Sequence, residues 1–253
     1  MDIGGSGIKG CLVDLEQGQL IGERLRLETP QPSLPEPVCD TVAQIVRHFE
    51  WPDRVGVTFP GVMKQGVAFT AANVDKTWIG TNVAAALDQQ IPGTVETLND
   101  ADAAGIAEMH YGAGRGRDGV VLMLTFGTGI GSALFVDGHL VPNTEFGHIQ
   151  VDGHDGEHKA SAAARDREDL SYPDWAKRVD RYLDVLEAGL WPDLIIVGGG
   201  VSKKAHKWVP LLSTRTPIVP AELQNDAGIV GAALAAHEAR DVTTVHWTGR
   251  SNG

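Results

Sequence analysis

DIGGSGIKG, Asp2 to Gly10, is a glycine-rich turn with an acidic residue at its head and an apolar run, Ile8–Leu15, leaving it. A second such turn, LTFGTGIGSAL, lies at Leu124–Leu134, and LNDADAAG at Leu98–Gly105 falls between the two. Glycine lets backbone N–H groups approach an anion with no Cβ in the way, and successive N–H groups form a concavity that suits phosphate. Two such loops, roughly a hundred residues apart with an Asn-Asp pair between them, imply a phosphoryl group held from both sides beside a carboxylate. The loop donors are the backbones of Gly4, Gly5, Ser6 and Gly7, and of Gly127, Thr128, Gly129 and Gly131, with Thr125 at the entry to the second loop.

Around these turns the pattern alternates strands and helices. Ile8–Leu15 and Leu20–Leu27 read as a hairpin across Glu16–Gly18. Pro30, Pro32, Pro35 and Pro37 mark a connection, and Val38, Val42, Ile45, Val46 and Phe49 recur at helical spacing, which predicts a helix over Pro37–Glu50. Strands are expected at Arg54–Thr58 and at Thr94–Leu98, followed by an alanine-rich helix over Ala101–Tyr111. Gly119–Thr125 and Ser132–Val136 flank the second turn, and Asp137-Gly138 is a hairpin signal. Asp174–Leu190 carries Trp175, Val179, Tyr182, Leu183 and Leu186 on one helical face. A buried-type strand, Asp193–Val197, leads into Gly198-Gly199-Gly200, and a small-residue helix covers Ala227–Glu238, with Gly228 and Gly231 expected to allow close backbone packing. Each half thus opens with a glycine turn between two strands, a weak internal duplication.

At 253 residues the chain can form two small domains or one large one. It is 42% hydrophobic and 21% charged, as in soluble globular proteins, and no apolar run reaches the roughly 18 residues of a membrane helix. The formal charge of −12 argues against a nucleic-acid partner, which usually needs a basic field. Any anionic donor must then be gripped locally, with Lys9, Arg115, Arg117, Lys159, Arg165, Lys203, Lys204 and Lys207 as candidates. With only Cys11 and Cys39 the chain is no disulfide scaffold, and a reducing, cytoplasmic setting is expected.

Asp100 is the candidate general base. An alcohol is a poor nucleophile until a base within hydrogen-bond reach accepts its proton, and a carboxylate at the C-terminal end of a strand facing a crevice is well placed for that. The bland alternative is that Asp100 caps the helix that follows it.

The order of motifs resembles the ROK family of actin-like sugar kinases. DIGGSGIKG and FGTGIG (Phe126–Gly131) are similar to its two phosphate loops, and DLIIVGGGVSK (Asp193–Lys203) to the segment under the nucleotide. FPG (Phe59–Gly61), ANVDKTWIG (Ala72–Gly80), LND (Leu98–Asp100) and EFGH (Glu145–His148) match its sugar-site motifs. The resemblance implies two actin-like (ribonuclease H-like) α/β domains around a central cleft. These are a small domain over 1–98, with helix 228–239 packing back on it, and a large one over 99–227; 240–253 is expected to be a flexible tail. It implies Asp100 as the base and Asn73, Asn99, Asp100, Glu145, His148 and Glu157 as the hexose site. Asp2 would act on Mg2+ through water, and Lys9, Gly199 and Gly200 would lie at the donor. The stretch GHIQVDGHDGEHKAS lacks the zinc-binding cysteines usual in the family, and His148, His154, His158 and Asp155 are a weak substitute for them. This cysteine-free variant is similar to the polyphosphate glucokinases of actinobacteria. The resemblance therefore implies transfer of a terminal phosphoryl group from inorganic polyphosphate, or alternatively ATP, to the 6-hydroxyl of glucose, by a homodimer. Lys203, Lys204 and Lys207 are candidates to track the polyphosphate chain, or else form a solvated helix face. The alternatives are a strictly ATP-dependent glucokinase, a glucose/mannose kinase, and a sugar-sensing transcriptional regulator. The regulator is disfavoured by the acidic charge and by a phosphate loop that begins at residue 2.

Overall fold

The computed structural model describes residues 1–242. In chain order the first half carries β1 (Asp2–Ile3), β2 (Ile8–Asp14), β3 (Gln19–Leu27), α1 (Pro35–His48), β4 (Val55–Phe59), a small hairpin of β5 (Met63–Lys64) and β6 (Val67–Ala68), α2 (Val83–Asp88) and β7 (Val95–Asn99). The second half carries α3 (Asp100–Tyr111), β8 (Val120–Phe126), β9 (Ile130–Val136), β10 (His139–Val141), a hairpin of β11 (Gln150–Val151) and β12 (His154–Asp155), α4 (Gly156–Ala160) and α5 (Ala162–Arg167). It ends with α6 (Tyr172–Leu190), β13 (Leu194–Gly198), β14 (Ile218–Pro220) and α7 (Ala227–Val242).

The strands form two five-stranded sheets of the same order, β3-β2-β1-β4-β7 and β10-β9-β8-β13-β14. In each, the first three strands run antiparallel, and the first strand is then joined by two parallel ones. The duplication suspected from the glycine turns is therefore a duplication of topology. Both turns leave the central strand of their sheet, β1 in one and β8 in the other, and hydrophobic runs such as Leu194–Gly198 are buried throughout because a neighbour lies on either side.

Helix α1 starts on prolines at its first turn, carries Glu36 there and Arg47 and His48 in its last turn, and buries Val38, Val42, Ile45 and Val46 against the first sheet. Helix α6 buries Trp175, Val179, Tyr182, Leu183 and Leu186 on one face of the second sheet. The other face is closed by α3 and α7, with Ala104, Ala107 and Val230 packed on Val121, Met123 and Phe135. Helix α7 also lies on β4 and β7 of the first sheet and along α3, so it touches both halves.

Four details differ from expectation. Helix α7 runs to Val242 rather than 239; the rest of the expected tail, 243–253, lies outside the described residues. The expected domain division after Leu98 falls inside β7, which ends at Asn99. Gly231 is pressed against the Ala103 carbonyl, but Gly228 has only Thr58 Cγ2 near its Cβ position, at 4.0 Å, so only one of the two glycines serves close packing. The hairpin of β11 and β12 was not anticipated, although Asp152-Gly153 is a turn signal of the same kind as Asp137-Gly138. Among the described residues no helix is long and apolar enough to cross a membrane.

Candidate active site

The junction of β7 and α3 answers the question of which residue caps the helix. Asn99 does: its Oδ1 accepts from the Ala101 and Asp102 amides at 2.8 and 3.1 Å, and its Nδ2 donates to the Gly61 carbonyl at 3.0 Å. Asn99 thereby ties the Phe59-Pro60-Gly61 turn to the helix start and keeps one amide proton for a ligand. Asp100, relieved of capping, is the first helical residue. Its Oδ1 accepts only from the adjacent Ala101 amide, at 2.9 Å, and the side chain is open to solvent. Protein crowding around it, and then the nearby carboxylates of Asp2 and Glu145, push its pKa up to about 6. Such a carboxylate is a stronger base than an ordinary one and is still mostly ionised at neutral pH.

Asp2 sits on β1 between two neighbours fixed by strand register, opposite Lys9 on β2 and Thr58 on β4. Its Oδ1 accepts from the Thr58 hydroxyl at 2.8 Å and its Oδ2 from Lys9 Nζ at 3.3 Å. Lys9 is thus held at the foot of the first loop by an ion pair.

Both glycine loops have their carbonyls tied away from the site. Gly4 O accepts from the Thr29 hydroxyl, Gly5 O from Gln31 Nε2 at 3.2 Å and Ser6 O from Arg26 at 2.8 Å, while Gly4 N closes the turn on Gly7 O. In the second loop Gly127 N closes on Gly129 O, and Gly127 O accepts from the Ala163 amide of α5 at 3.0 Å. The amides of Gly5, Ser6 and Gly7, and of Thr128 and Gly129, have no acceptor among the described residues. A carbonyl tied to one side turns its peptide's N–H to the other, which is how a loop becomes an anion cradle.

The same loops touch the candidate sugar residues. A Cβ on Gly5 would lie 2.4 Å from the Asn73 carbonyl oxygen, and one on Gly129 would lie 2.3 Å from Glu157 Oε2. A side chain at Gly5 would meet backbone and push the two apart, whereas one at Gly129 would displace the Glu157 carboxylate. Asn73 itself has φ +61°, a left-handed conformation that asparagine tolerates. Glu157, in the first turn of α4, accepts from the Ile130 amide at 3.0 Å. His148 lies 3.8 Å from both Glu145 and Glu157. Burial holds the Glu145 carboxyl above the usual range; the Glu157 carboxylate adds to this and His148 opposes it. Asp100, Asp2, Glu145, His148, Glu157 and both loops therefore form one connected neighbourhood, and Asn73 joins it through Gly5.

Gly199, with φ +79° and backed by the Phe126 carbonyl, brings the end of β13 beside the second loop, where Gly198 pairs with Thr125 and Gly131 pairs with Thr125 from the other side. Gly200 opens a 3-10 turn over Gly200–Lys207 on which Lys203, Lys204 and Lys207 are exposed. Lys207 reaches the Tyr172 ring at 5.7 Å, and Arg165 of α5 covers the same ring at 4.2 Å. Because α5 also holds Gly127, the basic residues of two elements gather beside the second loop.

Sequence reasoning missed Asp102 and Asn143. Asp102 is buried. Its Oδ2 accepts from the Asn143 amide at 2.8 Å, and its Oδ1 has no partner. Burial first, with Glu145 and Asp100 adding, raises its pKa to about 7. Asn143 (φ +60°) exchanges two hydrogen bonds of 2.7 Å with the backbone of Met63, joining the loop before Glu145 to the β5–β6 hairpin. An acidic residue in the first turn of a helix looks like ordinary dipole compensation, so nothing local marks Asp102. A separate apolar cavity of about 360 Å³, lined by Leu12, Val46, Phe49, Val55 and Ala233 among others, contains none of the candidate residues. Among the described residues no group of three or more His, Cys, Asp or Glu is placed to hold a metal ion.

Comparison with known proteins bears on this geometry. The family model described as "ROK family" matches residues 1–165. The polyphosphate glucokinase of Mycobacterium tuberculosis is 56% identical over 237 residues, covering 93% of this chain and 89% of that protein. The crystal structure of an inorganic polyphosphate/ATP-glucomannokinase from Arthrobacter sp. strain KM matches with a TM-score of 0.90 at 52% identity, covering 94% of this chain and 97% of that one. A ROK family glucokinase from Streptomyces griseus, solved with glucose and AMPPNP, matches with a TM-score of 0.78 at 24% identity over 94% of this chain and 98% of that one, which is a likeness of fold.

Proposed function

The chain belongs to the ROK family, and we propose that it is a polyphosphate glucokinase, which moves the terminal phosphoryl group of inorganic polyphosphate to the 6-hydroxyl of glucose. The observation that carries this is the placing of Asp100. Asn99 takes over helix capping, so Asp100 keeps a free carboxylate of raised pKa beside Asp2 and Glu145. Two cradles of free amides adjoin the hexose-type residues Asn73 and Glu157.

The two sheets would form the floors of two actin-like lobes around a cleft. Glucose is held by Asn73, Glu145, His148 and Glu157, with the remaining amide proton of Asn99 as a further donor. Asp100 accepts the proton of the 6-hydroxyl as the oxygen attacks the terminal phosphorus, whose bond to the bridging oxygen breaks and releases a polyphosphate one unit shorter. The amides of both loops, with Lys9, stabilise the charge that spreads over the transferring oxygens. Asp2 fits a water-mediated hold on Mg2+, since each of its oxygens accepts one donor and retains a lone pair. When bound, that ion offsets charge on the donor phosphates. Closing the lobes would expel water and limit hydrolysis of the donor.

Lys203, Lys204 and Lys207, with Arg165, would track the polyphosphate chain beyond the second loop. At ~0.5 kcal/mol per exposed charge pair, replacing the three lysines by alanine is expected to raise KM for polyphosphate about tenfold. The effect should grow at low ionic strength, with KM for glucose unchanged. An unaltered KM for polyphosphate at low salt removes this cluster from the donor site.

The test of the function is donor kinetics with purified protein. Glucose 6-phosphate should form at saturating glucose with polyphosphate and Mg2+. Absence of product with polyphosphate, alongside turnover with ATP, would establish the second reading, an ATP-dependent kinase. Mannose belongs in the same assay, because the Arthrobacter relative is a glucomannokinase acting with polyphosphate or ATP.

A further inference from the structure

The hairpin of β11 and β12 ends in Asp155, which the sequence offered only as a weak metal ligand and to which the proposed chemistry gives no role; among the described residues no group of three or more such side chains is placed to hold a metal. Its turn, Asp152-Gly153, has φ +51° and +83°, the two left-handed residues of a tight hairpin whose twist matches its strands. Arg181 of α6 grips Asp152 through both carboxylate oxygens at 2.7–3.2 Å and holds its carboxyl below the usual range. The Gly156 amide closes the other end on the Ile149 carbonyl at 2.8 Å. The hairpin is therefore a fixed platform for the side chains at its mouth, where Gln150 and Asp155 stand opposite each other.

Both oxygens of Asp155 are used directionally. Oδ1 accepts from Gln150 Nε2 at 2.6 Å, and Oδ2 lies 3.2 Å from His148 Nδ1. His148 is 57% exposed, so its ring has little packing to orient it. Its Nε2 faces Glu145 Oε2 at 3.8 Å, too long for a direct hydrogen bond. That spacing leaves two neighbouring acceptors, one for each of two adjacent hydroxyls of a sugar ring.

We propose that Asp155, braced by Gln150, is a positioning residue that keeps the proton of His148 on Nδ1 and turns Nε2 toward a sugar hydroxyl next to the one that Glu145 accepts from. The proposal rests on the glucose site described above. A carboxylate that takes the proton on one ring nitrogen fixes what the other can do. Nε2 then meets the hydroxyl at a set angle, and one hydroxyl donates to Nε2 while its neighbour on the sugar ring donates to Glu145. A site with such placed acceptors rejects sugars lacking those hydroxyls.

The experiment compares Asp155→Ala and Asp155→Asn with wild type by steady-state kinetics, thermal melting and 15N NMR of the His148 ring. In wild type, the neutral ring should carry its proton on Nδ1. Asp155→Ala should raise KM for glucose about tenfold, the weight of one oriented hydrogen bond. KM for polyphosphate, kcat and the melting temperature should change little, and the neutral ring should move to the Nε2–H form. Asp155→Asn keeps an acceptor for Nδ1–H, because Gln150 can flip its amide to match, and should restore most of the affinity. An Asp155→Ala protein with unchanged KM for glucose and an unchanged tautomer overturns the proposal. So does an equal loss in both variants accompanied by a lower melting temperature and a raised KM for polyphosphate, which marks a structural role alone. A tautomer shift in Asp155→Ala alongside a wild-type protein that phosphorylates no glucose overturns the sugar assignment, while the Asp155–His148 pairing stands.

Discussion

Asp100→Asn is expected to lower kcat for glucose phosphorylation by roughly three orders of magnitude, the usual range for loss of a general base. Affinity for glucose should be largely kept, because the amide retains an acceptor for the 6-hydroxyl. In wild type, with the Asp100 pKa at about 6, kcat/KM should fall about tenfold per unit as pH drops below 6, because a carboxyl that is already protonated cannot take up the proton of the 6-hydroxyl. This acid limb should vanish from the residual activity of the variant. The stability effect has the opposite sense. The pKa is raised from 3.8, so between about pH 4 and pH 6 the unfolded chain loses a proton that the folded protein retains. Wild-type stability from this group is full below pH 4 and is lost as pH rises through 6. Asp100→Asn should therefore melt no lower than wild type at pH 8 and should match it below pH 4. A variant with near wild-type turnover, or one that is inactive because it has unfolded at pH 8, would falsify the base assignment or remove its test by mutation. In the second case the wild-type pH profile decides.

The second large effect belongs to helix α7. A Cβ on Gly231 would fall 1.7 Å from the Ala103 carbonyl oxygen of α3, and one on Gly56 in β4 would fall 1.8 Å from the Ala232 carbonyl oxygen of α7. Both obstacles are backbone, which cannot rotate aside, so α7 must move as a unit. Gly231→Ala and Gly56→Ala are each expected to cost about 3 kcal/mol or more, the upper end for overpacking. That is a large share of the ~5–15 kcal/mol that holds a typical fold. Melting should drop by about 10 °C, or the protein should fail to accumulate in soluble form. Gly228→Ala, three positions earlier on the same helix, meets nothing closer than 4.0 Å and should melt within about 2 °C of wild type, because alanine favours helix as its added methyl fills open space. Equal tolerance of Gly228→Ala and Gly231→Ala would show that α7 does not depend on this close approach.

Several elements were legible without coordinates because the information is local. The helical spacing of Val38, Val42, Ile45 and Val46 needs only one helix to be read, and it places α1. The Asp137-Gly138 turn needs only its two residues, which adopt φ +49° and +78°. The two glycine turns, each between strands, foreshadow the common order of the two sheets, since a glycine-rich reversal after a buried strand has few other uses. The position of Asp100 was legible for the same reason, at the end of one strand and the start of one helix.

Other features depend on bonds between distant segments. That Asn99 is a cap and brace is settled by the Gly61 carbonyl 38 residues away. Asp102 matters through Asn143, 41 residues on, and Asn143 through Met63, 80 residues back. The amides of the first loop are freed because Thr29, Gln31 and Arg26 draw off its carbonyls from another strand and its linker. Side-chain type and spacing determined which chemical groups the chain possesses and the repeating scaffold that carries them. Which of those groups are consumed in holding the scaffold, and which are left free to meet a substrate, was decided by tertiary structure, because a hydrogen-bonding group satisfied within the fold is no longer available to a ligand.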